Sequence, residues 1–545
     1  MRTLTIALGQ LDFIVGDVPG NTRKIRDSSR IAHEQGADVI VYPELTLVGY
    51  PPEDLLWRPG LKRKVNVALD KLCHSLPADI AVVIGHPHWT EDGKLMNAAS
   101  VFRSGKLLVR YFKMELPNYA VFDERRYFTP GDKPAVFDVE GVLLGVTICE
   151  DTWLPEASRK SREAGAQIIL NLNASPFHVG KTAQREQIVA RRSQETNVPV
   201  VYVNLVGAQD ELVYDGTSFV TNSNGVVVYR SESFRESMSL LKFECSENGV
   251  VPEASTPLRP LPGKVESVYQ ALVCGVRDYV LKNGFKGVVI GLSGGIDSAL
   301  TLCVACDALG EENVEAVMLP SRYTSDMSLE DAKKMASNLG VEYHVISIEQ
   351  SFNAFLDTLK ETFADSKPDV TEENIQARCR GVILMAISNK RGKMVLTTGN
   401  KSEMAMGYST LYGDMAGGYN ALKDVPKTLV YELSRYCNRD QEVIPQRIID
   451  RPPSAELRPD QKDQDSLPPY EILDGILEKY VERDESIEQI IADGYDETIV
   501  RRVVWLLDRN EYKRRQAAPG VKITARAFGK DRRYPITSGY SELDN

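Results

Sequence analysis

Short apolar runs alternate with amphipathic segments through the first part of the chain. Runs such as TLTIALGQL, DVIVYPEL, ADIAVVIGH, KLLVRYFK and VLLGVTICED end in polar or glycine-containing turns, which is typical of buried strands. Between them lie segments such as NTRKIRDSSRIAHEQGA, whose apolar residues recur at helical spacing. Because some strands come singly and others in hairpins, the pattern predicts mixed sheets covered by helices.

The pattern changes after Cys245. The stretch SENGVVPEASTPLRPLPG has few periodic apolar residues and carries prolines at positions 252, 257, 260 and 262, a composition typical of a connection between domains. We therefore predict a first domain at residues 1–245, a linker at 246–263 and a second domain at 264–545.

The second domain repeats helix, strand, loop and helix. The helical segment VYQALVCGVRDYVLKNG precedes the strand GVVIGL, then come the helix SALTLCVACDAL, the strand VEAVMLP, a helix through Asp331–Leu339 and the strand VEYHVISI. Strands separated by helices predict a doubly wound parallel sheet, in which ligands bind beyond the carboxyl ends of the strands.

Length and charge narrow the function classes. A chain of 545 residues exceeds what a single core normally organises, and 43% hydrophobic with 26% charged residues is typical of a globular protein. The net charge of −11 argues against a nucleic-acid coat or an anionic membrane surface, so we predict neither partner. The opening MRTLTIALGQLDF lacks the layout of a secretory signal, and we expect a cytoplasmic protein.

A glycine-rich loop closes the strand GVVIGL. In LSGGIDSAL no Lys-Ser/Thr pair follows the glycines, so the loop is not a Walker loop. Backbone amides at Gly294 and Gly295, the hydroxyls of Ser293 and Ser298 and the following helix terminus can hold a pyrophosphate. Asp297 can face a polyphosphate only across a cation, which predicts a magnesium ligand. Two glycines alone would equally fit a plain strand-to-helix turn.

The whole Ser-Gly-Gly-x-Asp-Ser loop is more specific and resembles that of the ATP pyrophosphatases. The segments LPSRYTS, TTGNKSEMAMGYSTLYGD, RPPSAELRPDQKDQDSLPPY and KRRQAAPGVKIT resemble those of NAD synthetases, over nearly all of the chain after the linker. The resemblance implies an adenine nucleotide hydrolase-like fold, ATP as co-substrate and Mg²⁺ as cofactor. It also implies amidation of the nicotinate carboxylate of deamido-NAD through an adenylate, releasing AMP and pyrophosphate.

The same resemblance implies a set of site residues. The ATP contacts would be Ser293, Gly294, Gly295, Ile296, Asp297, Ser298, Arg322 and Thr398. The deamido-NAD contacts would be Arg378, Asp414, Lys427 and Lys513, and the magnesium ligands Asp297 and Glu403.

Three strand ends of the first domain carry the groups that could release ammonia. Glu44 follows DVIVYP, Lys113 closes KLLVRYFK and Cys149 closes VLLGVTIC. A thiolate, a proton-shuttling carboxylate and an oxyanion-stabilising ammonium suffice to hydrolyse a carboxamide. An amino-terminal cysteine nucleophile is excluded by Arg2, and none of the six histidines follows Cys149 at a spacing typical of a Cys-His-Glu glutaminase. A core role for Cys149 stays open on spacing alone.

The surrounding segments add a resemblance. YPELTLVGYPPEDLL, KMELPNYAVFDERRYF, ICEDTW and NLNASPFHVGK resemble the nitrilase family, in particular the glutaminase domain fused to glutamine-dependent NAD synthetases. The resemblance implies an α-β-β-α sandwich with Glu44 as general base, Lys113 as oxyanion stabiliser and Cys149 as nucleophile. It places the glutamine contacts at Tyr119, Glu150, Ser175 and Lys181.

Together the two resemblances imply a glutamine-hydrolysing ligase that forms NAD, AMP, pyrophosphate and glutamate. We also expect a closed passage for ammonia and a homo-oligomer. Two alternatives remain at this point. The first is another acceptor, a purine nucleotide or tRNA, with the same chemistry; the second is a nucleotide sensor with a degenerate amidase, which predicts a missing triad member or a broken loop.

Overall fold

The computed structural model forms two compact units, Met1–Pro262 and Gly263–Asn545. It describes residues 2–247, 249–459, 461–540 and 542. The strands of the first unit are β1 Arg2–Gln10, β2 Val39–Val41, β3 Ala81–Trp89, β4 Leu95–Arg103, β5 Lys106–Phe112, β6 Ala135–Val139, β7 Val142–Ile148, β8 Ile168–Asn173, β9 Val200–Asn204, β10 Val206–Gln209, β11 Leu212–Asp215, β12 Phe219–Thr221, β13 Val227–Arg230, β14 Ser237–Ser246 and β15 Gly249–Pro252. Its helices are α1 Val18–Glu34, α2 Pro59–Ser75, α3 Pro155–Glu163 and α4 Lys181–Thr196.

Two sheets face each other in the first unit. One has the order β15-β14-β1-β2-β3-β4-β5 and the other β13-β12-β9-β8-β7-β6. Apolar side chains such as Val41 and Leu170 fill the space between them. Ile25 of α1 and Val65 of α2 cover the outer face of the first sheet, and Val189 of α4 covers that of the second. The predicted α-β-β-α sandwich is confirmed.

Part of the predicted linker belongs to the first sheet. The edge strand β15 pairs antiparallel with β14, with Phe243 opposite Pro252. The alternation that marks this strand is too short to stand out from the prolines around it.

The second unit is built on a parallel sheet. Its strands are β16 Val288–Gly291, β17 Val314–Met318, β18 Glu342–Val345, β19 Met394–Thr397 and β20 Tyr419–Asn420. Its helices are α5 Lys264–Lys282, α6 Ile296–Leu309, α7 Asp326–Leu339, α8 Glu349–Leu359, α9 Val370–Arg391, α10 Lys401–Met406, α11 Lys427–Cys437, α12 Gln446–Asp450, α13 Tyr470–Leu477, α14 Ile487–Ala492, α15 Glu497–Arg509 and α16 Glu511–Arg514.

The strand order of this sheet is β18-β17-β16-β19-β20, with every pair parallel. Phe352 of α8 and Ile375 of α9 pack against one face, on Val289 and Val317. The helix α6 leaves β16 directly through the glycine-rich loop and packs with α5 and α11. The predicted parallel α/β architecture is confirmed.

One helix starts earlier than predicted. The sequence predicts a helix through Asp331–Leu339, whereas α7 begins at Asp326 because the Ser325 hydroxyl caps it, accepting from the Ser328 amide at 3.2 Å. Within the described ranges, the model has no helix that is both long enough and apolar enough to cross a membrane.

Candidate active sites

The thiol of Cys149 lies at a sharp turn. Cys149 opens a turn of 3-10 helix, Cys149–Thr152, directly after β7, and its φ of 44° is in the left-handed region that costs a non-glycine residue energy. The Thr152 hydroxyl donates to the Cys149 carbonyl at 2.9 Å and holds the turn. Burial, and then the charge of Glu44, raise the pKa of the Cys149 thiol well above its ordinary value, against the opposing charge of Lys113. The thiol is therefore protonated at neutral pH and needs a base.

Glu44 is the carboxylate next to this thiol. Its Oε1 accepts from Lys113 Nζ and from Asn97 Nδ2, both at 2.7 Å, and its Oε2 accepts from the Ala174 amide at 3.3 Å. A Cβ at Gly85 would lie 2.5 Å from the Leu45 amide nitrogen, so glycine is required where β3 passes the Glu44 segment.

Lys113 joins a second carboxylate that the sequence analysis missed. Its Nζ lies 2.9 Å from both oxygens of Glu124, and the Tyr50 hydroxyl donates to Glu124 Oε1 at 2.9 Å. Burial alone would lower the pKa of Lys113, but the charges of Glu124 and Glu44 outweigh it and raise the pKa well above its ordinary value. Burial raises the pKa of Glu124 to about 7. The sequence feature that could have identified Glu124 is its place in the segment KMELPNYAVFDERRYF, which carries the family resemblance.

Three of the four predicted glutamine contacts, Tyr119, Glu150 and Lys181, interact with one another or with their neighbour Trp153, and the fourth, Ser175, pairs with Arg185. The Tyr119 hydroxyl donates to Glu150 Oε1 at 3.0 Å, and Lys181 Nζ lies 3.8 Å from the ring centroid of Trp153. Burial raises the pKa of Glu150, while the Tyr119 hydrogen bond and the charges of Lys113 and Lys181 oppose that shift. Ser175 is buried, and its hydroxyl oxygen accepts from Arg185 Nε at 3.0 Å.

The second unit has a cavity of about 540 Å³ at the carboxyl end of its sheet. The predicted site residues in its lining are Ser293, Gly295, Ile296, Asp297, Ser298, Thr398, Glu403, Asp414, Lys427 and Lys513.

Three predicted residues lie outside that lining among the described residues. Gly294 has a φ of 77°, and a Cβ there would lie 2.6 Å from the Ser328 carbonyl oxygen. Glycine is therefore required at this position for the conformation of the loop, although the residue does not line the cavity. Arg322 Nη2 lies 2.6 Å from Glu349 Oε2, and Arg378 Nε donates to the Leu411 carbonyl at 3.2 Å. The structure therefore does not bring the two arginine side chains to the cavity wall.

Two carboxylates in the cavity share one cation. Lys427 Nζ donates to Asp297 Oδ2 at 2.5 Å and to Glu403 Oε1 at 3.2 Å. Asn400 fixes both acids, because its Nδ2 donates to Asp297 Oδ1 at 2.8 Å and its Oδ1 accepts from the Glu403 amide at 2.9 Å. Burial raises the pKa of Glu403 to about 8. Since the acids converge on one positive group and offer oxygen donors, the pair fits a magnesium ion.

Asp414 and Lys513 form another charged part of the wall. Asp414 Oδ1 accepts from the Thr410 amide at 2.6 Å, and burial raises the pKa of Asp414 to about 6. Lys513 Nζ donates to the carbonyls of Gly407 at 2.8 Å and Ser409 at 3.1 Å. Burial lowers the pKa of Lys513, and the charge of Asp414 opposes this.

Arg380 lines the cavity and was also missed from the sequence. Its Nε donates to the Leu319 carbonyl at 2.9 Å and its Nη2 to the Ser321 hydroxyl at 3.5 Å, so both partners are uncharged. Burial lowers the pKa of Arg380 to about 10. A partly buried guanidinium with neutral hydrogen-bond partners on a cavity wall favours an anionic ligand.

Comparisons with known proteins agree with this division into two sites. Residues 5–246 match the carbon-nitrogen hydrolase family model, and residues 268–517 match the NAD synthase model. The glutamine-dependent NAD(+) synthetase of Acinetobacter baylyi is 47% identical over 548 residues, covering 100% of both chains. That of Thermotoga maritima is 46% identical and covers 99% of this chain and 100% of its own.

Solved structures give the same result. The glutamine-dependent NAD+ synthetase of Acinetobacter baumannii, in complex with ADP, has 44% identity and a TM-score of 0.80, covering 100% of each chain. A glutamine-dependent NAD(+) synthetase of Cytophaga hutchinsonii has 22% identity and a TM-score of 0.85, covering 99% of this chain and 98% of its own, which shows the shared fold.

Proposed function

The chain belongs to the glutamine-dependent NAD(+) synthetases, and on that premise we propose which residues carry its two half-reactions. It is a carbon–nitrogen ligase that converts glutamine, ATP and deamido-NAD into glutamate, AMP, pyrophosphate and NAD. The observation that carries the assignment is the pairing, in one chain, of a buried thiol beside a carboxylate–ammonium pair with a glycine-rich loop beside an acid pair.

The first site releases ammonia from glutamine. The sulfur of Cys149 attacks the carboxamide carbon while Glu44 takes the thiol proton, and the Lys113 ammonium stabilises the negative oxygen of the tetrahedral intermediate. Glu44 passes the proton to the departing nitrogen, leaving a γ-glutamyl thioester. Water, deprotonated by Glu44, then cleaves the thioester to glutamate and restores the thiol. Tyr119, Glu150, Ser175 and Lys181 are the proposed glutamine contacts.

The second site activates the nicotinate carboxylate. That carboxylate attacks the α-phosphorus of ATP, the bond to pyrophosphate breaks, and ammonia then displaces AMP from the resulting acyl adenylate. Amides and hydroxyls of the Ser293–Ser298 loop are proposed to hold the phosphates. Asp297 and Glu403 would hold Mg²⁺, which when bound neutralises charge on the leaving pyrophosphate.

The dinucleotide is proposed to lie against the remaining charged wall. Asp414, Lys427 and Lys513 keep their predicted contacts, and Arg380 takes the place predicted for Arg378, since Arg380 is the one in the lining. Small-molecule substrates fit such a cavity. The homo-oligomer and the cytoplasmic location stay predictions.

A product balance tests this proposal. With glutamine as the sole nitrogen source, NAD, AMP, pyrophosphate and glutamate should form in equal amounts. Cleavage of ATP to ADP and phosphate would contradict the adenylate route.

Replacing Glu124 with glutamine should lower kcat for glutamine hydrolysis roughly 10- to 100-fold. The amide keeps the shape but removes the charge that holds Lys113, so the Lys113 ammonium loses its bidentate partner. Steady-state hydrolysis of glutamine measures the effect. Glu186→Gln, which removes a half-buried carboxylate paired with Arg230 in the same unit, is the control and should leave kcat unchanged. Equal kcat values for both variants would refute the role of Glu124.

Replacing Arg380 with alanine should raise KM for deamido-NAD or ATP about 10- to 100-fold. Arg378→Ala is a matched control two residues away on α9, and it should change both KM values less than about 3-fold because that side chain is outside the lining. Initial-rate kinetics with ammonium as nitrogen source isolate this site. A larger rise in KM for Arg378→Ala than for Arg380→Ala would show that Arg378, and not Arg380, contacts the substrate.

A further inference from the structure

Asp151 is a buried acid with no role in the reaction steps above. It lies two residues after Cys149, in the segment ICEDTW, and its side chain is fully buried. We propose that Asp151 is a positioning residue, which sets the Lys113 ammonium against the Cys149 thiol. This inference rests on the roles proposed above for those two residues.

One oxygen of Asp151 holds the chain that follows Lys113. Oδ1 accepts from the Met114 amide at 3.0 Å and from the Glu115 amide at 2.9 Å. Both amides come directly after the lysine, beyond the end of β5 at Phe112.

The other oxygen holds the chain around the thiol. Oδ2 accepts from the Ile148 amide at 2.8 Å, one residue before Cys149, and from the Tyr111 hydroxyl at 2.8 Å, on β5. The bond to Ile148 is a local cap of the turn that opens at Cys149. The other three bonds cross to the Lys113 segment, which a cap alone does not require.

The topology explains why such a tie is needed. Lys113 follows β5 of the first sheet, and Cys149 follows β7 of the second. No β-ladder joins these two strands in the described residues, so a ladder register cannot set the distance between the two side chains. A single carboxylate that accepts four hydrogen bonds can, because charge-assisted bonds are short and directional.

Burial raises the pKa of Asp151 to about 6, while the amides of Ile148 and Glu115 oppose the shift by stabilising the charged form. The carboxylate therefore prevails at neutral pH and keeps both oxygens as acceptors. Asparagine has the same shape but faces two of the four donors with its own N–H groups.

Two variants and a control test the inference in the full chain. Asp151→Asn should lower kcat for glutamine hydrolysis about 100-fold, and Tyr111→Phe, which deletes one of the four bonds, about 5-fold, with KM for glutamine within about 3-fold in both. Tyr42→Phe deletes a buried hydroxyl of the same unit that bonds to Ser28 and the Ile25 carbonyl. It should lower the melting temperature without changing kcat.

The double variant separates positioning from general support of the fold. If Tyr111 acts through Asp151, adding Tyr111→Phe to Asp151→Asn should lower kcat no further. A wild-type kcat for Asp151→Asn, or independent multiplicative effects, would overturn the inference. If Asp151→Asn fails to fold, the kcat values of Tyr111→Phe and Tyr42→Phe are compared instead. A lower kcat in Tyr111→Phe alone supports the inference, and equal kcat values overturn it. Retained hydrolysis in Cys149→Ala would instead refute the proposed function itself.

Discussion

Replacing Cys149 with alanine is expected to lower glutamine-driven NAD synthesis by at least about 10³-fold and to leave ammonium-driven synthesis close to the parent value. The thiol is the sole covalent nucleophile of the proposed glutaminase step, and alanine removes it with little change in buried volume. Supplied ammonium bypasses that step, because the adenylate is formed in the other unit. The measurement is the NAD formation rate with each nitrogen source.

A matched control is available in Cys303. Both thiols are 3% exposed, and Cys303 lies on α6 of the second unit. Cys303→Ala should retain synthesis from both nitrogen sources. Loss of both reactions in Cys149→Ala, with Cys303→Ala active, would mean that Cys149 supports folding or the other site.

Replacing Asp297 with asparagine is expected to lower NAD synthesis by about 10³-fold with either nitrogen source, while glutamine hydrolysis continues. The substitution removes one of the two charges that converge on Lys427 and that would hold the metal. Parallel assays of NAD formation and glutamate release measure the two half-reactions.

Asp331→Asn is the control for this second prediction. Asp331 is a buried acid of the same unit that pairs with Arg447 outside the cavity lining. It should reduce stability and keep synthesis. Substantial synthesis by Asp297→Asn would refute the proposed metal role, and an equal loss in Asp331→Asn would trace the effect to folding.

The sequence predicts the architecture well because the signals are long and local. Apolar runs mark the strands of both units, and Glu44, Lys113 and Cys149 each come at or after the end of such a run. In the structure Lys113 Nζ lies 2.7 Å from Glu44 Oε1, and the charges of both residues act on the Cys149 thiol. Full-length relatives set aside the purine, tRNA and sensor alternatives.

Side-chain direction is what the sequence does not determine. Arg378 and Arg380 differ by two positions on α9, which is about 200° of rotation, so only one can face the cavity. Sequence spacing does not say which. Glu124 lies in a short turn, where no periodicity separates a buried carboxylate from an exposed one. Arg322 is directed by its ion pair with Glu349, a contact between distant segments.

The amide nitrogen of glutamine has to pass from the first half-reaction to the second, and an isotope measurement follows that nitrogen. The enzyme would be given glutamine carrying heavy nitrogen in its amide together with unlabelled ammonium at low concentration, and the NAD formed would be analysed by mass spectrometry. The NAD carboxamide should carry the label. NAD formed without label, while labelled glutamine is hydrolysed, would contradict it.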